Sequence, residues 1–206
     1  MIKRSIDIVG SLALLTLTFP VLAGAALAVY LSLGRPILFR QIRPGKNEVP
    51  FILIKLRTMR EDNGEVSDAD RLTPVGRWLR RTSIDELPSL INVLRGDMSL
   101  VGPRPLLMKY LPFYTETERL RHSIRPGLTG WAQVHGRNNL DWDKRFQLDI
   151  YYVKNRSLAL DLNILLRTAG TVLSQRGVVP SSNMTLSDLD VARRERRRRP
   201  LLSVDS

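Results

Sequence analysis

The sequence predicts an α+β protein that is mainly helical, with an N-terminal membrane helix, a small β-hairpin and amphipathic helices at the membrane interface around a central helix. Three observations lead to this fold class. Residues 8–33 contain no charged side chain, and that length exceeds the ~20 apolar residues of a membrane helix. Residues 36–59 alternate short apolar stretches with turn signals, as paired strands do. Later stretches repeat apolar residues at helical spacing.

The composition favours anionic partners. The 206 residues carry a net charge of +12, with two histidines and no cysteine. Disulfides and thiolate metal sites are therefore excluded, and a histidine-rich metal site is disfavoured. A positive excess of this size suits nucleic acid, anionic lipid or phosphorylated ligands, and composition alone does not choose among them.

Basic residues flank the apolar run on both sides. Lys3 and Arg4 precede it, and four basic residues follow it between Arg35 and Lys46. Because basic flanks favour the cytoplasmic side, a helix that bends and returns keeps both flanks inside, whereas a straight span does not. Pro20, near the middle, removes a backbone hydrogen bond and favours a bend. A simple span with a tolerated proline is the alternative, and an uncleaved anchor is favoured over a signal peptide.

Two strands are predicted after the apolar run. Residues 37–39 and 51–56 have strand character, and the turn signal at residues 44–47 separates them. Lys55 and Arg57 alternate with apolar neighbours and are therefore expected to share one face of the second strand. They are either solvated charges or phosphate contacts, and Lys55 is the preferred contact.

A short basic helix is predicted at residues 73–81. Trp78 and Leu79 lie among arginines, a composition that suits a membrane surface or phosphate groups. Arg80 precedes Asp85 by five residues and is expected to supply positive charge beside it.

The central helix is predicted to begin at Ser83. Ser83 and Glu86 have the spacing of a capping box, apolar residues then recur at helical intervals, and Gly96 is the expected stop. Asp85 and Glu86 then lie in the first turn, where free N–H groups and the helix dipole favour ionised carboxylates. On spacing alone, the preferred explanation is that Glu86 is only a cap partner and Asp85 only a favourable first-turn charge, because capping boxes are common.

The same residues suit phosphate chemistry. A carboxylate such as Asp85 can attack a phosphoryl group, and a hard divalent cation, expected to be Mg²⁺, would bridge carboxylate and phosphate oxygens. Adjacent carboxylates on a helix point roughly 100° apart, which disfavours a glycosidase pair. Arg104 stands between Pro103 and Pro105, and a rigidly held arginine suits a phosphate.

The C-terminal half contains further helical stretches. Residues 106–122 begin apolar and aromatic, and they lie either in the membrane interface or in a buried core. Residues 158–174 predict an amphipathic helix, for which membrane docking is preferred and core packing is the alternative. Trp131 suits either base stacking or packing. The arginine block at 193–199 is typical of a solvated segment that anionic lipid attracts.

Three stretches in series resemble the bacterial sugar transferases, the small monotopic phosphoglycosyl transferases that begin glycan assembly on a polyprenyl phosphate carrier. They are KLRTMR at 55–60, SIDELPSLINVLRGDMSLVGPRP at 83–105 and RPGLTGWAQVHGRN at 125–138. The resemblance runs from about Lys3 to about Gly177.

The resemblance implies a domain plan. Residues 1–35 would be a re-entrant membrane anchor, residues 36–177 a catalytic domain on the cytoplasmic face of the bacterial inner membrane, and residues 178–206 a polar, Arg-rich tail that we expect to be flexible. Family members break the helix at a proline that often follows serine. Here Phe19 precedes Pro20, and Thr18 is the expected substitute for the serine hydroxyl.

The resemblance also implies a reaction and residue roles. Asp85 would attack the β-phosphate of a UDP-sugar and release UMP, and polyprenyl phosphate would then attack the phosphosugar–enzyme intermediate. Glu86 would assist as a metal ligand or as an acid/base. The expected substrate contacts are Lys55, Arg80, Arg104, Arg125 and Arg137, and Asp149 is expected to hold one of the last two arginines.

Two other classes of function compete with this interpretation. One is a membrane-tethered protein that binds nucleic acid through its basic charge, and the other is a scaffold without catalysis. No nucleic-acid-binding motif is visible, so the expected partners are the UDP-sugar, the carrier and inner-leaflet lipids. The intact Asp85–Glu86 pair argues against a scaffold. A homodimer is compatible with the chain, although no interface pattern is visible.

Overall fold

The computed structural model describes residues 2–61, 68–136, 140–174 and 188–194. Within these ranges the chain is mainly helical with two small sheets, which confirms the predicted α+β class. The α-helices are α1 (Ile2–Leu33), α2 (Asp68–Arg71), α3 (Pro74–Thr82), α4 (Leu90–Arg95), α5 (Glu116–Arg119), α6 (Trp131–Gly136), α7 (Trp142–Asn155) and α8 (Leu158–Ser174). The strands are β1 (Leu38–Pro44), β2 (Pro50–Leu56), β3 (Ser99–Val101) and β4 (Gly127–Thr129).

The apolar run forms the single long helix α1, with Pro20 inside it. Among the described residues it is the one helix long and apolar enough to cross a membrane. Large apolar side chains in its middle are exposed, and Leu17 and Phe19 are among them. Its buried residues lie towards the two ends and are Asp7, Ser11, Ala25 and Val29. The ends of α1, rather than its middle, therefore contact the rest of the chain.

The proline of α1 has no serine hydroxyl beside it. Pro20 cannot donate to the carbonyl four residues earlier, which belongs to Thr16. Thr18, the expected substitute, donates instead to the carbonyl of Leu14 at 2.6 Å. Thr18 therefore does not occupy the carbonyl that Pro20 leaves free, although such back-bonding by threonine itself tends to bend a helix.

The predicted hairpin is confirmed. β1 and β2 pair antiparallel, with Leu38 opposite Leu56 and Pro44 opposite Pro50. The shared face of Lys55 and Arg57 stays a prediction, because Arg57 lies just beyond the end of β2 at Leu56. The guanidinium of Arg57 donates to the carbonyls of Leu33 and Gly34, which have no partner within α1.

The central helix has two parts. Ile84–Ser89 is a 3₁₀-helix, and α4 continues from it to the predicted stop at Gly96, whose φ of 92° suits glycine. The polar side of this helix binds β2. Ser89 donates to the carbonyl of Ile54 at 2.7 Å, and the Asn92 side chain bonds both Ile54 N and the carbonyl of Ile52. These bonds hold the hairpin against the helix.

A second small sheet brings together the loop that follows Val101 and the loop that contains Pro126. β3 and β4 pair in parallel, with Ser99 opposite Gly127 and Val101 opposite Thr129. Gly127 must be glycine, because a Cβ there would lie 2.1 Å from the backbone nitrogen of Gly102. The pairing places the loop that begins at Pro103 beside the loop that precedes β4.

Residues 106–122 form short 3₁₀ and α segments instead of one helix. Tyr110 and Tyr114 are buried in a cluster with Phe146. The core alternative is therefore correct for these tyrosines, and the interfacial placement stays a prediction for the rest of the stretch.

The helix α8 has the predicted bounds, and its apolar residues divide between two environments. Ile164 is fully buried, whereas Leu162 and Leu166 are exposed. The same helix therefore contributes to the core and leaves an apolar face uncovered.

Part of the C-terminal segment also packs on the domain. Residues 189–194 are helical, Leu189 is fully buried, and Arg193 pairs with Glu118. The predicted solvated arginine block therefore does not hold at Arg193. The remainder of the block, residues 195–199, lies outside the described residues.

Candidate active site

The chain reverses at Ser83 immediately before the paired carboxylates. Ser83 has a left-handed conformation, with φ 58° and ψ 15°, and its side chain makes no capping hydrogen bond. An N-cap residue normally has extended dihedral angles and accepts an N–H with its side chain. The predicted capping box is therefore wrong, and Glu86 is not a cap partner.

Glu86 is held between two cations. Its Oε1 lies 2.7 Å from Nζ of Lys55 and 2.7 Å from Nη2 of Arg104, and Nη1 of Arg104 donates to Oε2 at 3.4 Å. Burial alone would raise the pKa of Glu86, but the charges and hydrogen bonds of Arg104 and Lys55 hold that pKa well below its usual range. Glu86 is therefore ionised at neutral pH, and both of its oxygens are engaged.

Asp85 differs from Glu86 in its ion pairs and in the direction of its pKa shift. It is 7% exposed and makes no ion pair with any residue that the structure describes. Burial, and then the charge of Glu86, raise the pKa of Asp85 to about 6, although Lys55, Arg104 and Arg80 oppose the shift. The expectation that the first turn of the helix keeps the pKa of Asp85 low is therefore wrong. The carboxylate is mainly ionised only above about pH 6.

Both carboxylates line an open cleft of about 3070 Å³. Apolar side chains of α1 and α8 form one part of its wall, including Leu17, Phe19, Leu165 and Val172. Basic side chains from several parts of the chain also line it, and Arg43, Lys55, Arg80, Arg104 and Arg145 are among them. The cleft therefore combines an apolar surface with a strongly basic one.

The structure brings three of the predicted substrate contacts to this cleft. Lys55 and Arg104 bind Glu86 directly, as described above. Arg80 is exposed, donates to the Thr58 hydroxyl at 3.0 Å, and lies close enough to Asp85 to lower its pKa.

Arg125 is not brought to the carboxylates. Its side chain is exposed, lies outside the cleft lining and donates to the carbonyl of Gly96 at 2.7 Å, at the far end of α4. The reason is the pairing of β4 with β3, in which Ser99 N donates to the carbonyl of Pro126 and holds the preceding Arg125 near Gly96. Arg137 lies outside the described residues. Trp131 stacks on Tyr151 and packs against the main core, which favours its packing role.

Asp149 holds an arginine, but not one of those expected. It forms a buried ion pair with Arg121 at 2.8 Å, and Nη2 of Arg121 also donates to the carbonyl of Arg104 at 2.7 Å. This pair therefore fixes the backbone of Arg104. One signal in the sequence was available, because Asp149 is a charge within the apolar stretch FQLDIYY, and such a charge requires a partner.

The carboxylates suit a metal ion that is shared with a substrate. Among the described residues, no group of three or more His, Cys, Asp or Glu side chains could hold a metal ion. Mg²⁺ commonly binds through one or two carboxylates together with substrate phosphates, which this arrangement permits. Asp85 fits such a role because no ion pair occupies it, whereas the oxygens of Glu86 are already engaged by Lys55 and Arg104.

Comparison with known proteins gives consistent matches. The family model for the bacterial sugar transferases matches residues 1–175. The uncharacterized sugar transferase EpsL of Bacillus subtilis (strain 168) is 48% identical over 188 residues, which are 89% of this chain and 93% of that protein. A UDP-glucose:undecaprenyl-phosphate glucose-1-phosphate transferase of Caulobacter vibrioides is 47% identical over 186 residues, 84% of this chain and 70% of that protein. The Escherichia coli (strain K12) protein of the same name is 42% identical over 182 residues, 82% of this chain but 39% of that protein.

Proposed function

The chain belongs to the bacterial sugar transferase family, and from this premise we propose that it transfers a sugar phosphate from a UDP-sugar to undecaprenyl phosphate and releases UMP. The names of the Caulobacter and E. coli relatives describe this reaction for glucose. The observation that carries the proposal is that two adjacent carboxylates have different surroundings. Glu86 is clamped by Lys55 and Arg104, whereas Asp85 is buried, lines the cleft and forms no ion pair within the described ranges.

Asp85 is the nucleophile in this proposal. A carboxylate oxygen attacks the β-phosphorus of the UDP-sugar, the bond from that phosphorus to the bridging oxygen breaks, and UMP leaves with the electron pair. An acyl phosphate then links Asp85 to the sugar. An oxygen of undecaprenyl phosphate attacks the same phosphorus, which releases the Asp85 carboxylate and forms undecaprenyl diphosphate sugar.

The positive charges of Lys55 and Arg104 stand ready to stabilise the charge that develops in this step. Lys55 and Arg104 are held in position by Glu86, and Arg104 is also fixed through its carbonyl by Arg121. Pre-positioned cations stabilise the charge that develops on phosphate oxygens without reorganising during the reaction. Mg²⁺, held by Asp85 together with the phosphates, would supply further neutralisation of that charge, whereas Glu86 keeps its oxygens on Lys55 and Arg104.

The apolar part of the cleft suits the carrier. A polyprenyl chain needs an apolar path, and its phosphate needs the basic wall. Side chains of α1 and α8 provide the first, and Lys55, Arg80 and Arg104 provide the second. We place the enzyme on the cytoplasmic face of the bacterial inner membrane, because basic residues flank both ends of the apolar run. We prefer catalysis to a scaffold or a nucleic-acid-binding protein, because Asp85 is buried at the cleft and pairs with no residue that the structure describes.

The contacts of α1 support a re-entrant helix. Near its start, Lys3 pairs with Asp161 of α8, and Arg4 donates to the carbonyls of Val93 and Leu94 in α4. Near its end, Ala25 and Val29 pack with Leu56 and Leu79. A straight span would carry one end of α1 to the opposite side of the membrane, away from the domain. Contacts at both ends, together with Pro20 in the middle, favour a helix that enters and returns.

Cysteine labelling tests this topology, because the natural chain has no cysteine. We expect Ser5→Cys, at the exposed start of α1, to react with a membrane-impermeant maleimide from the same side as Lys154→Cys on α7. Both should react in inverted membrane vesicles and neither in intact spheroplasts. Labelling of the two positions from opposite sides would show a straight span.

The reaction itself is tested by UMP release. Purified full-length protein in detergent or nanodiscs is incubated with a panel of UDP-sugars that begins with UDP-glucose, in the presence of Mg²⁺. Without undecaprenyl phosphate, we expect a burst of about one UMP per enzyme, and with the carrier we expect continuous turnover that EDTA abolishes. Absence of UMP release across a broad panel would reject the proposed activity, and turnover without any burst would argue against a covalent intermediate that accumulates.

A further inference from the structure

Each carbonyl of the loop Pro103–Pro105 accepts a hydrogen bond from a distant part of the chain. The backbone nitrogen of Gly127 donates to the first carbonyl at 2.9 Å, and Nη2 of Arg121 donates to the second, that of Arg104, at 2.7 Å. Nη1 of Arg43 donates to the third at 3.3 Å. Because a proline also fixes φ on either side of Arg104, the backbone that carries this guanidinium has little freedom.

The guanidinium of Arg121 is itself held firmly. Its Nη2 and Nε donate to one carboxylate oxygen of Asp149 at 2.8 and 3.1 Å, and the two side chains are only 1% and 2% exposed. Nη1 donates to the hydroxyl of Tyr114 at 3.5 Å, and the guanidinium lies over the rings of Tyr114 and Phe146. The donor that reaches the carbonyl of Arg104 therefore has a fixed position.

Stability alone explains this buried ion pair poorly. Removing two charges from water costs much of what their attraction returns, and replacing such a pair by apolar residues of similar volume is often neutral or stabilising. The bond from Arg121 to the carbonyl of Arg104 gives the pair a different use. Arg121 is buried and lies outside the cleft lining, so it acts on the site through Arg104 rather than by contact with a substrate.

We propose that Arg121, held by Asp149, is a positioning residue of the transfer reaction, because it fixes the backbone of Arg104 and thereby keeps the Arg104 guanidinium at the catalytic carboxylates. This inference rests on the proposed function. Nη2 of Arg104 lies 2.7 Å from Oε1 of Glu86, beside the proposed nucleophile Asp85. A displacement of about 1 Å at a group that stabilises developing charge can lower the rate about 10²-fold.

A double variant separates positioning from stability. Arg121→Met combined with Asp149→Leu replaces the ion pair by apolar side chains and removes the donor to Arg104. We expect a Tm close to that of the wild type, but a kcat/KM for the UDP-sugar about 10²-fold lower. The control is Lys109→Gln, which removes an exposed ion pair with Asp188 after the same loop and outside the cleft lining. This control should match the wild type in both measurements.

The burst of UMP distinguishes a slow enzyme from a misfolded one. The amplitude of the burst counts the molecules that can react, whereas its rate constant reports the chemical step. The double variant should keep an amplitude of about one UMP per enzyme, while its burst rate constant falls about 10²-fold. A reduced amplitude with the wild-type rate constant would indicate a purely structural role and overturn the proposal.

A mutant cycle with Arg104 tests the route of the effect. In an Arg104→Gln background, the guanidinium that Arg121 positions is already absent, so the double replacement should lower kcat/KM by no more than roughly threefold further. Additive losses would overturn the proposal. They would mean that the pair acts independently of Arg104, for example through direct contact of Asp149, which lines the cleft, with a substrate.

A structure of the double variant tests the placement without requiring turnover. We expect the bond between Arg104 and Glu86, 2.7 Å in the wild type, to be lost or clearly lengthened. An unchanged bond would overturn the proposal. If the wild type turned over no UDP-sugar but this bond depended on the Arg121–Asp149 pair, the positioning role would stand and the proposed transfer reaction would fail.

Discussion

Asp85→Asn is expected to lower the rate of UMP release by about 10³-fold or more, because an amide is a poor nucleophile and a poor ligand for Mg²⁺. The loss should appear in both assays, as a missing burst without the carrier and as negligible turnover with it. Binding of UMP should persist, since Asp85 orders none of the described basic side chains through an ion pair.

The matched control for this variant is Asp143→Asn. Asp143 lies on α7, its side chain is 42% exposed and pairs with Arg193 at 3.5 Å, and the cleft lining does not include it. We expect wild-type activity from that control within about twofold, as for most surface substitutions. If Asp85→Asn kept a full burst of UMP, the nucleophile would have to be another residue.

Glu86→Gln is expected to reduce kcat/KM by about 10²-fold, because the clamp that positions Lys55 and Arg104 loses its negative charge. The released cations would be free to turn towards Asp85. Glu116→Gln, an exposed glutamate in the first turn of α5, is the matched control and should retain activity. Activity near the wild-type level in Glu86→Gln would mean that the clamp does not matter for catalysis.

The same variant should move the pH profile. Asp85 must be ionised to attack, so kcat/KM of the wild type should rise as the pH increases through about 6 and level off above it. The charge of Glu86 raises the pKa of Asp85, whereas Lys55 and Arg104 lower it. Loss of the Glu86 charge should therefore shift the acidic limb of the profile to lower pH. A limb that stays in place or moves to higher pH would contradict this account of the Asp85 environment.

Elements governed by neighbouring residues could be predicted well from the sequence. The long helix α1, the hairpin of β1 and β2, the helix α3 and the bounds of α8 all follow local patterns of apolar and turn residues. Gly96 ends α4 as expected, because a left-handed helix end favours glycine wherever the helix lies in the fold. Hydrophobic periodicity and turn chemistry act over a few residues, and one sequence is enough to show them.

Predictions that required knowledge of distant partners were less successful. Ser83 and Glu86 have capping-box spacing, yet Glu86 turns to Lys55 and Arg104, which are 31 and 18 residues away. Asp149 was expected to hold Arg125 or Arg137, and it holds Arg121. In each case a side chain had several possible partners, and the packing of other elements decided between them.

The sequence by itself therefore determined the class of fold, the membrane helix and the candidate carboxylates, and it indicated the family through motifs that are continuous in the chain. Only the tertiary structure decided that Glu86 is clamped while Asp85 pairs with no described residue, that Arg125 lies at the far end of α4, and that Arg43 donates to the carbonyl of Pro105. The physical reason is the range of the interactions. Helix and turn formation depend on neighbours along the chain, whereas the charge and pKa of a buried group depend on whichever residues the fold places around it.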